Sequence, residues 1–169
     1  MSTGVARAHH NKRKKKIRRN PPQHEETMTT YLLTGDIGGT NSRMFLYDPT
    51  AATTTPLYTH QYRNATNIPQ PDRPHAFSDN IITPFLQQCW EKNDQLEPLG
   101  NGVRIVSVLA VAGVVHNNRV ELTNLGNMAV DGYEIEKSGR NKFLKSIVHC
   151  RIINDFVAVR TGRSGRYQY

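Results

Sequence analysis

Between Val103 and Val115 the chain carries its most apolar run, rich in Val and Ile and ended by Gly113. It is well short of the ~20 apolar residues a membrane helix needs. A run of this length and composition suits a strand buried on both faces, which belongs at the centre of a sheet. The rest of the chain has to supply that strand with neighbours.

Tyr31–Ile37 reads as a first strand, Gly38-Gly39-Thr40-Asn41 as a turn, and Ser42–Tyr47 as the returning strand of a β-hairpin. Leu57–Arg63 is a third strand. Ile81, Ile82, Phe85, Leu86 and Trp90 then recur on one helical face, predicting a helix over 75–92 in which Pro84 is an interior residue that kinks it. After the apolar run come a short strand at Arg119–Thr123, a mainly polar helix over 133–146 and a β-branched strand at Val148–Ile153. The order β-β-β-α-β-β-α-β implies an α/β fold, a mixed β-sheet with flanking helices.

At 169 residues the chain has room for one domain with tails, rather than for two full domains closing over a substrate. The formal charge of +8 sits in those tails. Residues 1–30 hold eight Lys/Arg against Glu25 and Glu26, residues 160–169 add Arg160, Arg163 and Arg166, and residues 31–159 carry eleven basic and twelve acidic side chains. Residues 1–30 have almost nothing apolar to bury and are expected to be disordered. Their basic run over 12–19 suits nuclear import, organellar targeting or a polyanion such as nucleic acid, and equally a solvated tail; Met28 is an alternative start. No apolar signal core precedes Tyr31, so a soluble cytoplasmic protein is expected, with no membrane partner. Cys89 and Cys150 have neither disulfide-framework nor zinc-site spacing and are expected to be buried thiols.

Three segments have the residue types for chemistry. In Asp36-Ile37-Gly38-Gly39-Thr40-Asn41-Ser42-Arg43, two glycines let backbone N–H groups approach an anion, and Thr40 and Asn41 add donors. Asp36 at the strand end offers a carboxylate to a hydrated Mg²⁺, and Arg43 can approach the same charge. The same residues also suit an ordinary hairpin turn, and they form neither a Walker A loop nor a G-x-G-x-x-G fingerprint. In the second segment, Asn154-Asp155 ends an apolar strand. The Asp155 carboxylate can accept the proton of a substrate hydroxyl during phosphoryl transfer, and Asn154 can hold adjacent hydroxyls. A helix N-cap explains that pair as well. The third segment runs from Leu109 through Gly113 to Thr123 and Asn124.

Taken in order and spacing over residues 31–159, these segments resemble the bacterial-type glucokinases, a family of the actin-like ATPase superfamily. The resemblance implies the small domain of an actin-like ATPase (ribonuclease H-like) fold, and a hexose kinase that moves the γ-phosphoryl of ATP to the 6-hydroxyl of glucose. It implies that Asp36, the turn Gly38, Gly39, Thr40 and Asn41, and Arg43 face ATP phosphates and Mg²⁺, with Asp36 nearest the metal. Asn154 would bind glucose, Asp155 would be the base, and Thr123 and Asn124 would be further sugar contacts. Val114 stands where the family usually has proline, and Asn127 where tryptophan is common. Arg160–Tyr169 has no apolar period and departs from the family, so the chain is expected to hold only the first half of such a kinase and to be inactive alone. The rival reading is a non-catalytic protein that binds nucleic acid or another polyanion through its basic arm. The charge balance of residues 31–159 weighs against a basic folded face.

Overall fold

The computed structural model of the chain describes Met1, residues 28–100 and residues 102–156. The basic run over 12–19 and the tail from 160 lie outside the described residues. Strands β1 (Thr29–Ile37), β2 (Asn41–Tyr47), β3 (Tyr58–Arg63), β4 (Val103–Val111), β5 (Arg119–Leu122), β6 (Met128–Asp131) and β7 (Ile147–Asn154) form two sheets. The larger has the order β3-β2-β1-β4-β7, and β5 pairs with β6 in a two-stranded ribbon. The hairpin and meander β1-β2-β3 are antiparallel, while β4 and β7 run parallel to β1. This is the mixed α/β sheet expected from the element order.

Period-2 alternation decides which face is covered. Along β1, Tyr31, Leu33 and Ile37 are buried, and along β4 so are Val103, Ile105, Leu109 and Val111. Val106, Val108 and Ala110, on the other face of β4, are only half-buried. The strand is therefore shorter than the apolar run, ending at Val111, and it is covered on one face only. β4 lies between β1 and β7, one place in from the edge. Four consecutive β-branched or apolar residues give no alternation by which the sequence could tell one covered face from two.

The covering layer departs from expectation in its details. The helix predicted over 75–92 runs unbroken from Ala76 to Lys92, with a π-helical turn at Ser78–Ile82 ahead of the regular α2 (Thr83–Lys92). Pro84 is therefore interior to the helix, as expected, and it follows directly on the π-helical turn, an irregularity of the kind by which a helix takes up a residue that cannot donate. Ile81, Ile82, Phe85, Leu86 and Cys89 are all fully buried in the core against Leu33, Met44, Leu46 and Leu109. Tyr31 meets Trp90 edge-on at 5.8 Å between ring centroids, and Tyr58 packs on Phe85 at 5.6 Å.

The polar helix predicted over 133–146 is two short ones. The first, here called α3, is Gly132–Lys137, and the second, α4, is Lys142–Lys145; a four-residue helix at Asn64–Asn67, not foreseen, is α1. Asn141 breaks the predicted helix by acting as a cap, its Oδ1 accepting from the N–H groups of both Phe143 and Leu144 at 3.0 Å. Strand β6 was likewise unforeseen. It exists because Met128 and Val130 bury one face beside Val120 and Leu122. Four residues of alternation are too few to stand out of a loop without that ribbon partner.

Both cysteines are free and buried, as expected. Burial pushes the Cys89 and Cys150 thiols up to about 12. The unfolded chain releases these protons near the ordinary thiol value while the folded chain still holds them. Stability contributed by the neutral thiols is therefore full below about pH 8.5–9 and is lost as pH rises toward 12. We expect thermal denaturation midpoints to fall steeply above pH 9 in the wild-type chain. The fall should be shallower in Cys89→Ala, measured relative to that variant's own midpoint at pH 7. Equal slopes would show that the thiols do not set the alkaline limit.

Candidate functional site

Parallel strands present their C-terminal ends on one edge of a sheet, and here three of them stop in the same row. Ile37 of β1 is in register with Val111 of β4, which is in register with Asn154 of β7. The Gly38–Asn41 turn, the Ala112–Gly113 segment and Asp155 therefore leave neighbouring positions on one edge, although they are far apart in sequence. The Ala112 N–H donates to the Ile37 carbonyl at 2.9 Å, and Asn154 Nδ2 donates to the Gly113 carbonyl at 2.6 Å. Such strand ends are where open α/β sheets bind ligands.

Each predicted residue can be placed on this edge. Asp36 is exposed, directly opposite Arg43 across the hairpin, with its carboxylate 3.5 Å from an Arg43 nitrogen. Arg43 also donates from Nε to Gln61 at 3.1 Å. An ion pair this exposed contributes little to stability, so either partner can exchange it for a ligand at small cost. Gly38 closes the turn by donating its N–H to the Asn41 carbonyl at 2.9 Å. Gly39 and Asn41 are half-buried and Thr40 is exposed.

Beyond β4, a cleft of about 700 Å³ is lined by Ala112, Gly113, Val114, Leu122, Thr123 and Asn124, among others. Thr123 and Asn124 lie in a 3-10 turn that follows β5. Asn124 also reaches the hairpin: a Cβ on Gly39 would overlap its side-chain amide. A glycine at position 39 is thus what lets the tip of the first motif touch the third.

At the end of β7, Asn154 Oδ1 and Asp155 Oδ1 both accept from the Phe156 N–H at 2.9 Å. This is the capping geometry that the sequence also allowed. It leaves Asn154 with one amide hydrogen, since the other is held by Gly113, and leaves Asp155 with a second, unengaged carboxylate oxygen among the described residues. Of the two departures from the family pattern, Val114 lines this cleft and Asn127 lines a separate pocket with Asp72 and His75. Val114 is 89% exposed, and Asn127 has φ +61°, a conformation Asn tolerates and a bulky aromatic does not.

The sequence did not reveal two asparagines that support this edge. Asn118 is buried in the tight turn joining His116 to Arg119, with φ +59° after Asn117 at φ +49°, a pair suited to a type I′ hairpin. Its side chain donates to the Cys150 carbonyl at 2.9 Å and accepts from the Ile152 N–H at 2.7 Å. Asn118 thereby does for the outer edge of β7 what another strand would do. Glu136 adds to this by accepting from the Cys150 N–H at 2.7 Å. Asn64, fully buried, ties the first motif from beneath: Nδ2 donates to the Gly38 carbonyl at 2.8 Å and Oδ1 accepts from Ser42 at 2.8 Å. The doubled Asn117-Asn118 is a legible turn signal, but nothing local in sequence tells what either side chain reaches.

The residues fit magnesium in the manner expected of that ion. Among the described residues there is no group of three or more His, Cys, Asp or Glu side chains that could cage a metal. A single exposed carboxylate, Asp36, beside a glycine turn suits an ion that keeps most of its waters and shares phosphate oxygens. No helix among the described residues is long and apolar enough to cross a membrane.

Comparison with known proteins gives three results. Residues 33–166 match the family model described as Glucokinase. Solved structures that are similar include two glucokinases. One, a glucokinase from an Antarctic psychrotroph, is 24% identical over 82% of this chain and 36% of its own, with a TM-score of 0.48. The other, a glucokinase from Balamuthia mandrillaris in complex with glucose, is 19% identical over 79% of this chain and 32% of its own, also with a TM-score of 0.48. The chain thus spans about a third of the length of these structures. No curated protein matches it.

Proposed function

The chain belongs to the glucokinase family, and on that premise we propose that it carries the first half of a hexose kinase site, in which the γ-phosphoryl of ATP passes to the 6-hydroxyl of glucose. The observation that supports this reading best is the single row Ile37, Val111, Asn154, which gathers a glycine turn, an open cleft and a carboxylate on one sheet edge. In the actin-like arrangement that the family implies, this sheet is the small domain.

The roles follow from what each group can do. Asp155 accepts the 6-hydroxyl proton on its unengaged oxygen as the hydroxyl bonds to phosphorus. Asn154, locked by Gly113 and Phe156, presents its remaining amide hydrogen to a sugar oxygen and fixes where the strand ends. Thr123 and Asn124 add polar contacts from the cleft wall. The Gly38–Asn41 turn offers backbone donors to phosphate oxygens, and Arg43 can leave Asp36 to meet the same charge. Magnesium would be held through Asp36 and would neutralise charge on the phosphates.

Titration of the ¹⁵N-labelled chain with glucose tests this reading. We expect shifts at Gly113, Asn124 and Asn154 with roughly millimolar affinity, because one wall of a two-sided cleft leaves most sugar hydroxyls in water. Asp155→Asn should weaken the response. No shift at these three residues overturns the sugar assignment, and micromolar affinity overturns the one-walled cleft.

A further inference from the structure

The phosphate role of the hairpin turn requires its N–H groups to be aimed outward, and a two-glycine turn does not hold one orientation by itself. Something has to set the peptide planes. The described residues supply one candidate on the inner side, Asn64, the first residue of α1 and fully buried. It makes three bonds to this motif. Its side-chain Nδ2 donates to the Gly38 carbonyl at 2.8 Å, its backbone N–H donates to the Thr40 carbonyl at 2.9 Å, and its Oδ1 accepts from the Ser42 hydroxyl at 2.8 Å.

A trans peptide is planar, so the carbonyl of one residue and the N–H of the next point in opposite directions; no cis bond occurs among the described residues. Drawing the Gly38 carbonyl toward Asn64 therefore turns the Gly39 N–H away from it. Drawing in the Thr40 carbonyl does the same for the Asn41 N–H. We propose that Asn64 is the positioning residue of this turn, holding two carbonyls inward so that the Gly39 and Asn41 N–H groups face the phosphoryl oxygens of the nucleotide. The inference rests on the phosphate reading of the turn given above. Ser42 completes the device by satisfying the Asn64 carbonyl oxygen, which leaves the Asn64 side chain one orientation in which both of its bonds are made.

The test uses the full ¹⁵N-labelled chain titrated with magnesium ATP, with adenosine as the control lacking phosphate. In the wild type, the Gly39 and Asn41 amides should shift with ATP and not with adenosine. In Asn64→Ala the ATP response at both amides should weaken about tenfold or more, while slow amide exchange at Leu33 and Leu109 shows the sheet intact. Should Asn64→Ala fail to fold, the double variant Ser42→Ala/Asn64→Leu fills the space and removes the amide and the hydroxyl together, so that of the groups bonded through these side chains only the Gly38 carbonyl, free to turn, loses its partner. The same loss is expected there. No ATP response in the wild type overturns the phosphate reading itself. A wild-type response that survives in the variants overturns the role of Asn64 alone, as does a loss that comes only with loss of protection at Leu33 and Leu109.

Discussion

Purified alone and supplied with glucose, ATP and magnesium, the 169-residue chain is expected to form glucose 6-phosphate no faster than its Asp155→Ala variant. A positioned base supplies roughly 10²–10⁴-fold of a much larger acceleration. The remainder of phosphoryl transfer comes from alignment of the two substrates and stabilisation of charge on the transferred group. On this chain the nucleotide would be held by one turn, Gly38–Asn41, with Asp36 and Arg43 beside it, and the sugar by one open wall. A reacting atom misplaced by ~1 Å can cost about 10²-fold, and a ligand held from one side wanders farther than that. A coupled assay decides the matter. Turnover well above the Asp155→Ala control would mean that a second copy, or the chain itself, supplies the missing wall. Activity that appears only when the rest of a family member is added in trans would show that Asp155 is competent but isolated.

The second large effect concerns stability. Asn118→Ala is expected to destabilise the fold by about 2–4 kcal/mol, because it strips partners from two backbone groups of β7, the Cys150 carbonyl and the Ile152 N–H. For a chain of this size that corresponds to a fall of roughly 10 °C in Tm. Asn118→Asp should recover only part of the loss, since it keeps the acceptor for Ile152 and loses the donor to Cys150. Gly132→Ala should be at least as damaging as Asn118→Ala. Its Cβ would sit 2.6 Å from the Cys150 carbonyl oxygen and overlap the Asn118 amide, and a backbone atom cannot rotate out of the way. Thermal melts of the three variants provide the check. Losses below ~1 kcal/mol would mean that water reaches the edge of β7 and satisfies it.

The two asparagines connect stability to the site. Asn118 lies on the ribbon whose other end carries Thr123 and Asn124, and it grips the strand that ends at Asn154 and Asp155. Loosening it should disturb both of these elements together. Asn64 stands in the same relation to the hairpin. Each is a polar residue whose value comes from the backbone it fixes rather than from a ligand it touches.

The sequence alone determined what local physics can encode. The β1-β2 hairpin was legible because alternation of period two brackets a Gly-Gly turn, and α2 because its apolar residues repeat on one helical face over ten positions. The three chemical segments were visible as residue types at strand ends, and their order carried the family. What the tertiary structure alone decided lies at longer range. That Ile37, Val111 and Asn154 share one row depends on parallel pairing across separations of more than forty residues, and strand register is set by packing rather than by any one segment. The one-sided burial of β4, the π-helical turn before Pro84, and the survival of β6 each depend on which neighbour covers a short stretch. The work of Asn64 and Asn118 was invisible for the same reason. A single asparagine side chain has no periodicity, and its two donors and its acceptor gain meaning only when folding brings unpaired backbone groups within 3 Å of them.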